Sequence, residues 1–335
     1  MLLFFSRRLS LALILLFCAA PFAQAADPLR LAIQATGTFG WELAVAKSHG
    51  LDKQAGLDIQ TTELATTEAG KIALVGGGAD IIVSDWLWVA RERGLGNDMQ
   101  FYPHSTALGA VMAKDAGAFK KPSDFIGKKL GVAGGPLDKS WLMLQAWALK
   151  QGVDLKSQAE IVFAAPPLLA EKLGQGEIDA ALEFWTFAAR LQSKGFARAV
   201  DMAEVERDLG ASGPVIVTGY VFRDQFAATH GPVLARFFDM MAKAKKLIAD
   251  DDAAYAEIAP KVAAVAGSTD PATLAIFRQY YRQGIPTRPL AADEADAAAI
   301  YKILAKLGGP QLVGAATELD PKVFYRPAAD AQHAQ

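Results

Sequence analysis

The sequence predicts an α/β fold arranged in two lobes, and three observations support this. Short strand-like runs alternate with longer helix-like stretches from residue 29 onward, and a second series of such units begins near Lys120. No Pro- or Ser-rich linker separates the two series, and the chain has no internal repeat of fixed period. We therefore expect short ordered segments to cross between the lobes, with ligand-facing loops at the carboxyl ends of the strands.

The first series consists of short apolar strands and helices that end at glycine. Gly50 ends the first helix, and the glycine triplet at 76–78 follows the second. Because the triplet comes after a helix and before a strand, it has the wrong order for a phosphate cradle and suits a helix C-cap. We predict strands at 29–33, 57–61, 80–83 and 99–102, and helices at 41–49 and 68–75.

The second series leads into a helical C-terminal region. From Pro232 onward, Val233, Phe237, Met241 and Ile248 recur at helical spacing and predict a core helix. The tail beyond residue 327 has no periodicity, so we expect disorder over 328–335. We predict strands at 129–133, 161–164 and 178–182, helices at 139–151 and 168–173, and lobe crossings at 108–114 and 214–222.

The N-terminus predicts a secretory signal peptide over residues 1–25. Arg7 and Arg8 precede an apolar run at 9–17, and Ala23-Gln24-Ala25 has small residues at both outer positions of an A-x-A cleavage site, near Ala25. The run is shorter than the roughly 20 apolar residues of a membrane span. Cys18, the only cysteine, lies in this segment, so we expect no thiol in the exported protein, with lipid attachment at Cys18 as the alternative.

Charge and motifs exclude several function classes. Thirty-four Lys and Arg residues against 36 Asp and Glu leave a net charge of -2, which offers no basic surface for nucleic acid. The chain contains no G-x-S-x-G, H-E-x-x-H, Walker or G-x-G-x-x-G motif. Its four histidines are isolated, so we expect no metal site. Of these, His104 follows a predicted strand and could face a cleft.

Four segments, taken in order, carry a resemblance to a known family. They are GLDKQAGLDI after the aromatic Trp41, LVGGGADI at 74–81, FIGKKLGV at 125–132, and GEIDAA at 176–181 followed by Trp185. The sequence resembles the NMT1/THI5-like group of ABC-transporter periplasmic binding proteins, which take nitrate, taurine, sulfonates or thiamine precursors. The resemblance extends over residues 29–220, with weaker support from the C-terminal part.

This resemblance implies a type II periplasmic-binding fold with a ligand cleft between lobes joined by two crossing segments. Lobe 1 would comprise 26–110 and 218–327, and lobe 2 would comprise 111–217. The resemblance also implies a monomeric periplasmic protein without cofactor, which hands a small molecule to ABC permease subunits in the inner membrane. It implies binding rather than catalysis.

Candidate ligand-binding residues lie at the predicted strand ends. Trp86 and Trp88 would point about 200° apart on a helix, so only one can face the cleft, and Trp86 is nearer the strand end. Trp185 matches the position of a tryptophan in the family. The predicted ligand-binding residues are Thr38, Phe39, Trp41, Ser84, Asp85, Trp86, His104, Gly135, Asp138, Ser140, Glu183 and Trp185.

The polar side chains at these loops favour a cationic, amino-bearing or heteroaromatic ligand. The loops contribute carboxylates and aromatic rings, and their only cation is Lys139. Such a ligand would stack on tryptophan and donate to Asp85 or Glu183. The alternatives are a sulfonate or taurine ligand, a pyrimidine-synthase-like enzyme on the same fold, and a partner-binding protein. Asp85 precedes a helix and also suits an N-cap.

Overall fold

The computed structural model describes residues 25–216 and 218–327. Residues 1–24 of the predicted signal peptide and the tail 328–335 lie outside the described residues. The strands are β1 (Asp27–Gln34), β2 (Leu57–Leu64), β3 (Ile81–Ser84), β4 (Met99–Ser105), β5 (Ala110–Ala113), β6 (Lys129–Ala133), β7 (Glu160–Ala164), β8 (Ala180–Glu183), β9 (Ala197–Asp201) and β10 (Thr218–Arg223).

The strands form two five-stranded sheets. The sheet of lobe 1 has the order β2-β1-β3-β10-β4, and the sheet of lobe 2 has the order β7-β6-β8-β5-β9. In lobe 1, β1 runs parallel to β2 and β3, while β10 is antiparallel to β3 and β4. In lobe 2, β6 runs parallel to β7 and β8, while β5 is antiparallel to β8 and β9. The two sheets therefore have the same arrangement.

The chain crosses between the sheets twice. It leaves lobe 1 after β4, enters lobe 2 at β5, and returns to lobe 1 at β10. The predicted two-lobed α/β fold is confirmed. The structure refines the predicted crossings: 108–114 includes β5 of the second sheet, and 214–222 ends inside β10.

Eight of the fourteen α-helices in the described ranges directly follow a strand, and several of these begin at a capping residue. Thr66, Asp85 and Asp138 each accept a hydrogen bond from a backbone N–H of the first helical turn. The helices are α1 (Phe39–Ser48), α2 (Leu51–Gln54), α3 (Thr67–Val75), α4 (Trp86–Gly94), α5 (Lys139–Leu149), α6 (Leu155–Gln158), α7 (Pro166–Gln175), α8 (Trp185–Ser193), α9 (Met202–Asp208), α10 (Asp224–Asp250), α11 (Asp252–Ala266), α12 (Pro271–Gln283), α13 (Leu290–Gly308) and α14 (Pro310–Val313).

Helix α10 starts earlier than the sequence indicates. The apolar face predicted from Pro232 is present, and Val233, Phe237 and Met241 are buried. The helix nevertheless begins at Asp224 and is kinked at His230, whose backbone leaves the helical region. Pro232 explains the kink because its ring and missing N–H disrupt the preceding turn.

The C-terminal helices contact both lobes, although we expected the whole of 218–327 to belong to lobe 1. Helices α10 and α11 pack on α1 of lobe 1, while α11 and α12 pack on α8 and α13 packs on α5 of lobe 2. Apolar packing explains these contacts. Tyr255, Phe277 and Tyr281 share one buried cluster with Trp41 of lobe 1 and Phe187 of lobe 2. The helical region therefore bridges the lobes.

The same region is attached to both crossings. At the first, the backbone N–H of Thr106 donates to the carbonyl of Gly284, at the end of α12, over 2.8 Å. At the second, Ser212 donates to Asp296 of α13, and Arg288 forms a 2.8 Å ion pair with the same carboxylate. Any change in the angle between the lobes must accommodate these attachments.

The first crossing requires glycine at position 109. A Cβ atom there would lie 1.7 Å from the carbonyl oxygen of Glu183, which is backbone and cannot rotate away. We expect Gly109→Ala to lower the free energy of unfolding by about 3 kcal/mol or more, as measured by chemical denaturation.

Gly174→Ala is the matched control. Gly174 lies in α7, and a Cβ atom there would meet nothing within 4 Å. Removing a helical glycine should leave stability unchanged or raise it by up to about 1 kcal/mol. Equal stability of the two variants would contradict the close packing at the crossing.

Candidate functional site

A cleft lies between the two lobes, with a volume of about 1170 Å³ including the part open to solvent. Lobe 1 contributes the carboxyl ends of β1, β3 and β4 and the loops that follow them. Lobe 2 contributes the segments 138–140 and 184–186, which open α5 and α8. The cleft therefore occupies the position at which α/β sheets bind ligands.

Five helices begin at this cleft, because each follows a strand or loop that ends there. A helix N-terminus carries partial positive charge and N–H groups without intrahelical partners. Two of these helices have a carboxylate cap, whereas α1 and α8 have no side-chain cap. The N-cap residues at the cleft are Thr38, Thr66, Asp85, Asp138 and Phe184.

The structure brings most of the predicted site residues together at the cleft. Those that line it are Thr38, Phe39, Ser84, Asp85, His104, Asp138, Ser140 and Trp185. The remaining four, Trp41, Trp86, Gly135 and Glu183, do not line it.

Asp85 and Asp138 direct their carboxylates at the backbone. Asp85 Oδ1 accepts from Trp88 N over 2.8 Å. Asp138 Oδ1 accepts from Ser140 N and Trp141 N over 2.9 and 3.2 Å. Burial raises the pKa of Asp138, and the nearby charge of Lys139 opposes this rise. Both carboxylates act as helix caps, which leaves less of their charge available to a ligand.

Trp41 and Trp86 belong to the core. Trp86 is on the inner face of α4 and 1% exposed, within the large core cluster. Trp41 packs edge-to-face against Trp185 with ring centroids 6.1 Å apart. A position next to a strand end does not by itself place a side chain in the cleft, because the first turn of a helix has residues on both of its faces. Gly135 faces Glu68 of lobe 1, whose Oε1 would lie 3.8 Å from an added Cβ atom.

Glu183 is buried beneath the cleft and does not line it. Its residue is 1% exposed, and within the described part of the chain neither carboxylate oxygen has a hydrogen-bond partner. Burial raises the pKa of Glu183 well above the usual value, and the charge of Arg190 opposes this rise. Burial therefore favours the neutral form of the side chain, which would not attract a cationic ligand.

Two lysines line the cleft, one of which the sequence prediction missed. Lys139, in the first turn of α5, is 6% exposed. Among the described residues it forms no hydrogen bond or ion pair, although burial raises the pKa of the Asp138 and Glu206 carboxyls and the charge of Lys139 opposes this rise. Lys71 of α3 lies 3.6 Å from Glu68 and over the ring of Trp88. The sequence position of Lys71 indicates a place near the cleft, because it lies one turn into a helix that begins at a strand-end loop.

Three aromatic residues form an aromatic wall of the same cleft. Phe39, Phe184 and Trp185 line the cleft. Trp185 is held by Phe277 and Tyr280 of α12, with ring centroids 6.0 and 6.4 Å away. Such rings suit the apolar part of an organic ligand.

A buried polar network around Glu42 lies directly behind the cleft. Glu42 Oε2 accepts from His104 Nε2 over 3.0 Å, from Lys245 Nζ over 2.8 Å and from the Tyr220 hydroxyl over 3.3 Å. Its Oε1 accepts from the Tyr281 hydroxyl over 3.0 Å. Lys245 also donates to Tyr220 over 2.7 Å. One feature of the sequence indicates this network: Glu42 is an acidic residue between Trp41 and Leu43 on an apolar helix.

The protonation states of this network follow from burial and proximity. Burial alone would raise the pKa of Glu42, but the charges of His104 and Lys245 and their hydrogen bonds lower it to about 2. Burial lowers the pKa of His104, and Glu42 opposes this. Burial and the charge of Glu42 raise the pKa of Tyr220 and of Tyr281 well above the usual value. At neutral pH, Glu42 is ionised, His104 is neutral and both phenols are donors.

Comparison with known proteins identifies the family. Residues 41–254 match the family described as NMT1/THI5-like. The chain belongs to this family. The group expected from the four sequence segments is thereby confirmed. No match is found among the curated proteins.

Solved structures of low sequence identity share the fold. The alkanesulfonate-binding protein SsuA from Xanthomonas axonopodis pv. citri, bound to MOPS, is 17% identical with a TM-score of 0.68, covering 91% of this chain and 100% of its own. The periplasmic aliphatic sulphonate binding protein SsuA from Escherichia coli is 18% identical with a TM-score of 0.61, covering 86% and 97%. The periplasmic nitrate-binding protein NrtA from Synechocystis PCC 6803 is 11% identical with a TM-score of 0.56, covering 72% and 65%.

Over residues 25–216 and 218–327, no helix has the length and apolar character needed to cross a membrane. Within the same ranges, no cluster of three His, Cys, Asp or Glu side chains could hold a metal ion.

The Glu42 network predicts a pH dependence of stability. The folded pKa of about 2 lies below the ordinary 4.5, so the carboxylate stabilises the fold above pH 4.5, and this contribution is lost as the pH falls through about 2. Glu42→Gln leaves the Lys245 ammonium buried without its anion. We expect a loss of about 3–5 kcal/mol at pH 7 and a weaker dependence on acid, measured by urea denaturation at several pH values.

Glu257→Gln provides the control. Glu257 accepts from Ser48 and lies 3.4 Å from His49, but its side chain is 45% exposed. Its removal should cost less than about 1 kcal/mol. A Glu42→Gln variant as stable as this control, or one with the wild-type acid dependence, would mean that the network does not hold the fold.

Proposed function

We propose that this protein is the solute-binding component of an ABC importer and that its cleft binds a small organic anion. The observation that carries the proposal is Lys139, a lining residue of the cleft whose ammonium has no hydrogen bond or ion pair among the described residues. The carboxyls of Asp138 and Glu206 are near enough for their charges to interact with Lys139, but neither forms an ion pair with it, so an anionic ligand would supply a direct counter-ion.

The helix termini support the same ligand class. Helices α1 and α8 begin at the cleft without a side-chain cap, so their first-turn N–H groups remain available to an anion. Hydroxyl groups are also plentiful in the lining. They belong to Thr36, Thr38, Thr66, Thr67, Ser84, Ser105, Ser140, Thr186 and Thr218. Hydroxyl and amide donors together can surround the oxygens of a sulfonate or carboxylate.

The case for a cationic ligand rested on carboxylates that serve other roles. Asp85 and Asp138 cap helices, and Glu183 does not line the cleft. The lining contains two lysines, Lys71 and Lys139, against these two aspartates, and because both aspartates accept from backbone N–H groups, the lysines are the charged groups left for a ligand. The aromatic wall of Phe39, Phe184 and Trp185 would accommodate an apolar body, which favours an organic anion over a bare inorganic one. The sulfonate-binding neighbours are consistent with this class.

Transport is the best-supported role for this binding. Membership of the family and the fold shared with sulfonate- and nitrate-binding periplasmic proteins favour capture of a ligand and delivery to a membrane permease. The predicted signal peptide favours action in the periplasm, and we propose that the protein works there as a monomer without a cofactor. Binding without turnover is favoured because the cleft carboxylates Asp85 and Asp138 are engaged as helix caps.

Lys139→Met tests the ligand class. We expect calorimetric titration to show that the wild-type protein binds a member of a panel of alkanesulfonates and carboxylates. The variant should bind that ligand about 10- to 100-fold more weakly, because a hydrogen bond to a charged group is lost.

Lys156→Met is the control, since Lys156 is an exposed lysine on α6 of the same lobe. Its affinity should equal that of the wild-type protein. Binding of organic amines together with no binding of any anion would reject the proposed ligand class in favour of the cationic alternative.

A further inference from the structure

His104 combines a place in the cleft lining with a fixed hydrogen-bond partner behind it. Its ring is 3% exposed and lines the cleft from the end of β4. Nε2 lies 3.0 Å from Glu42 Oε2, and Nδ1 lies 3.4 Å from the hydroxyl of Thr218, which also lines the cleft. Nε2 therefore binds Glu42 in the interior, and Nδ1 is directed at Thr218 in the cleft lining.

The partner of Nε2 determines the tautomer of the ring. A neutral imidazole carries one N–H and one lone pair, and an ionised carboxylate can only accept. Because Glu42 is ionised and His104 is neutral, the proton is on Nε2, where it is donated to Glu42. Nδ1 is therefore a hydrogen-bond acceptor.

The acceptor at Nδ1 is only weakly used within the protein. Its contact with Thr218 is 3.4 Å long, beyond the usual range for a hydrogen bond. The surroundings of the ring supply no closer donor among the described residues: Phe39 and Tyr220 contact it edge-on, at 6.1 and 5.0 Å between centroids. The Tyr220 hydroxyl and the Lys245 ammonium are both engaged with Glu42.

We propose that His104 Nδ1 is a specificity-determining acceptor, which selects anions that carry a second, hydrogen-bond-donating group such as a hydroxyl or N–H. This inference rests on the proposed function and adds to it the chemistry at the other end of the ligand. The acid group binds Lys139 on lobe 2, and the donor binds His104 on lobe 1. A ligand of this class contacts both lobes at once and so favours their approach.

Paired ligands that differ in one group test the selection. Isethionate and propanesulfonate differ only in a hydroxyl replaced by a methyl group, and hydroxypropanoate and butanoate form the corresponding carboxylate pair. We expect calorimetry to show that the wild-type protein binds the hydroxyl member of a pair about tenfold more tightly. Equal affinities within each pair would overturn the inference and leave the proposed anion site intact. Failure of all four anions to bind would reject the proposed function, and the inference with it.

His104→Leu removes the acceptor at Nδ1 together with the rest of the ring. Glu42 loses one donor in this variant but keeps those of Lys245, Tyr220 and Tyr281. The affinity ratio within a pair should fall from about ten to about one. His230→Leu is the matched control, because His230 is exposed on α10, and its ratio should stay near ten. A wild-type ratio in His104→Leu would overturn the inference.

A measurement on the wild-type protein removes any dependence on folding of the variant. Long-range proton–nitrogen NMR reports which ring nitrogen of each histidine is protonated, and with only four histidines in the chain the signals can be assigned. We expect His104 to be protonated on Nε2 and not on Nδ1 at neutral pH. A proton on Nδ1 would overturn the inference directly.

Discussion

Glu42 carries an ionised carboxylate at a position with no solvent exposure. A charge buried this deeply persists only when other donors replace the water it has lost. Here His104, Tyr220, Lys245 and Tyr281 supply those donors, and they come from β4, β10, α10 and α12. Because these elements are distant in sequence, satisfying one carboxylate fixes their relative positions, including that of the imidazole that lines the cleft.

The same helix joins this network to the second lobe. Trp41, next to Glu42 on α1, packs edge-to-face on Trp185 of α8 and also contacts Tyr281 of α12. Helix α12 therefore packs against lobe 2 while hydrogen-bonding the central carboxylate of lobe 1. Closure of the cleft must either carry α12 along or repack this aromatic cluster, since packed interiors deform in discrete steps.

The residues of the site differ in how far the sequence predicts them. Helix α5 begins at Lys139 as expected, because Asp138 is a capping residue before an apolar run. The same rule explains why Asp85 acts as a cap. Periodicity cannot say which side of a first turn faces the cleft, so Trp86 was placed in the site although it is core. Glu42 was missed because its partners lie up to 239 residues away in sequence, and their convergence is a property of the tertiary fold.

We propose that the cleft holds an organic anion between the Lys139 ammonium on one lobe and the neutral His104 imidazole on the other. Native mass spectrometry of the protein purified from its own cells without added ligand tests this most directly. We expect a co-purifying small molecule that carries an acid group and a hydroxyl or N–H group. A bound organic amine without an acid group would contradict it.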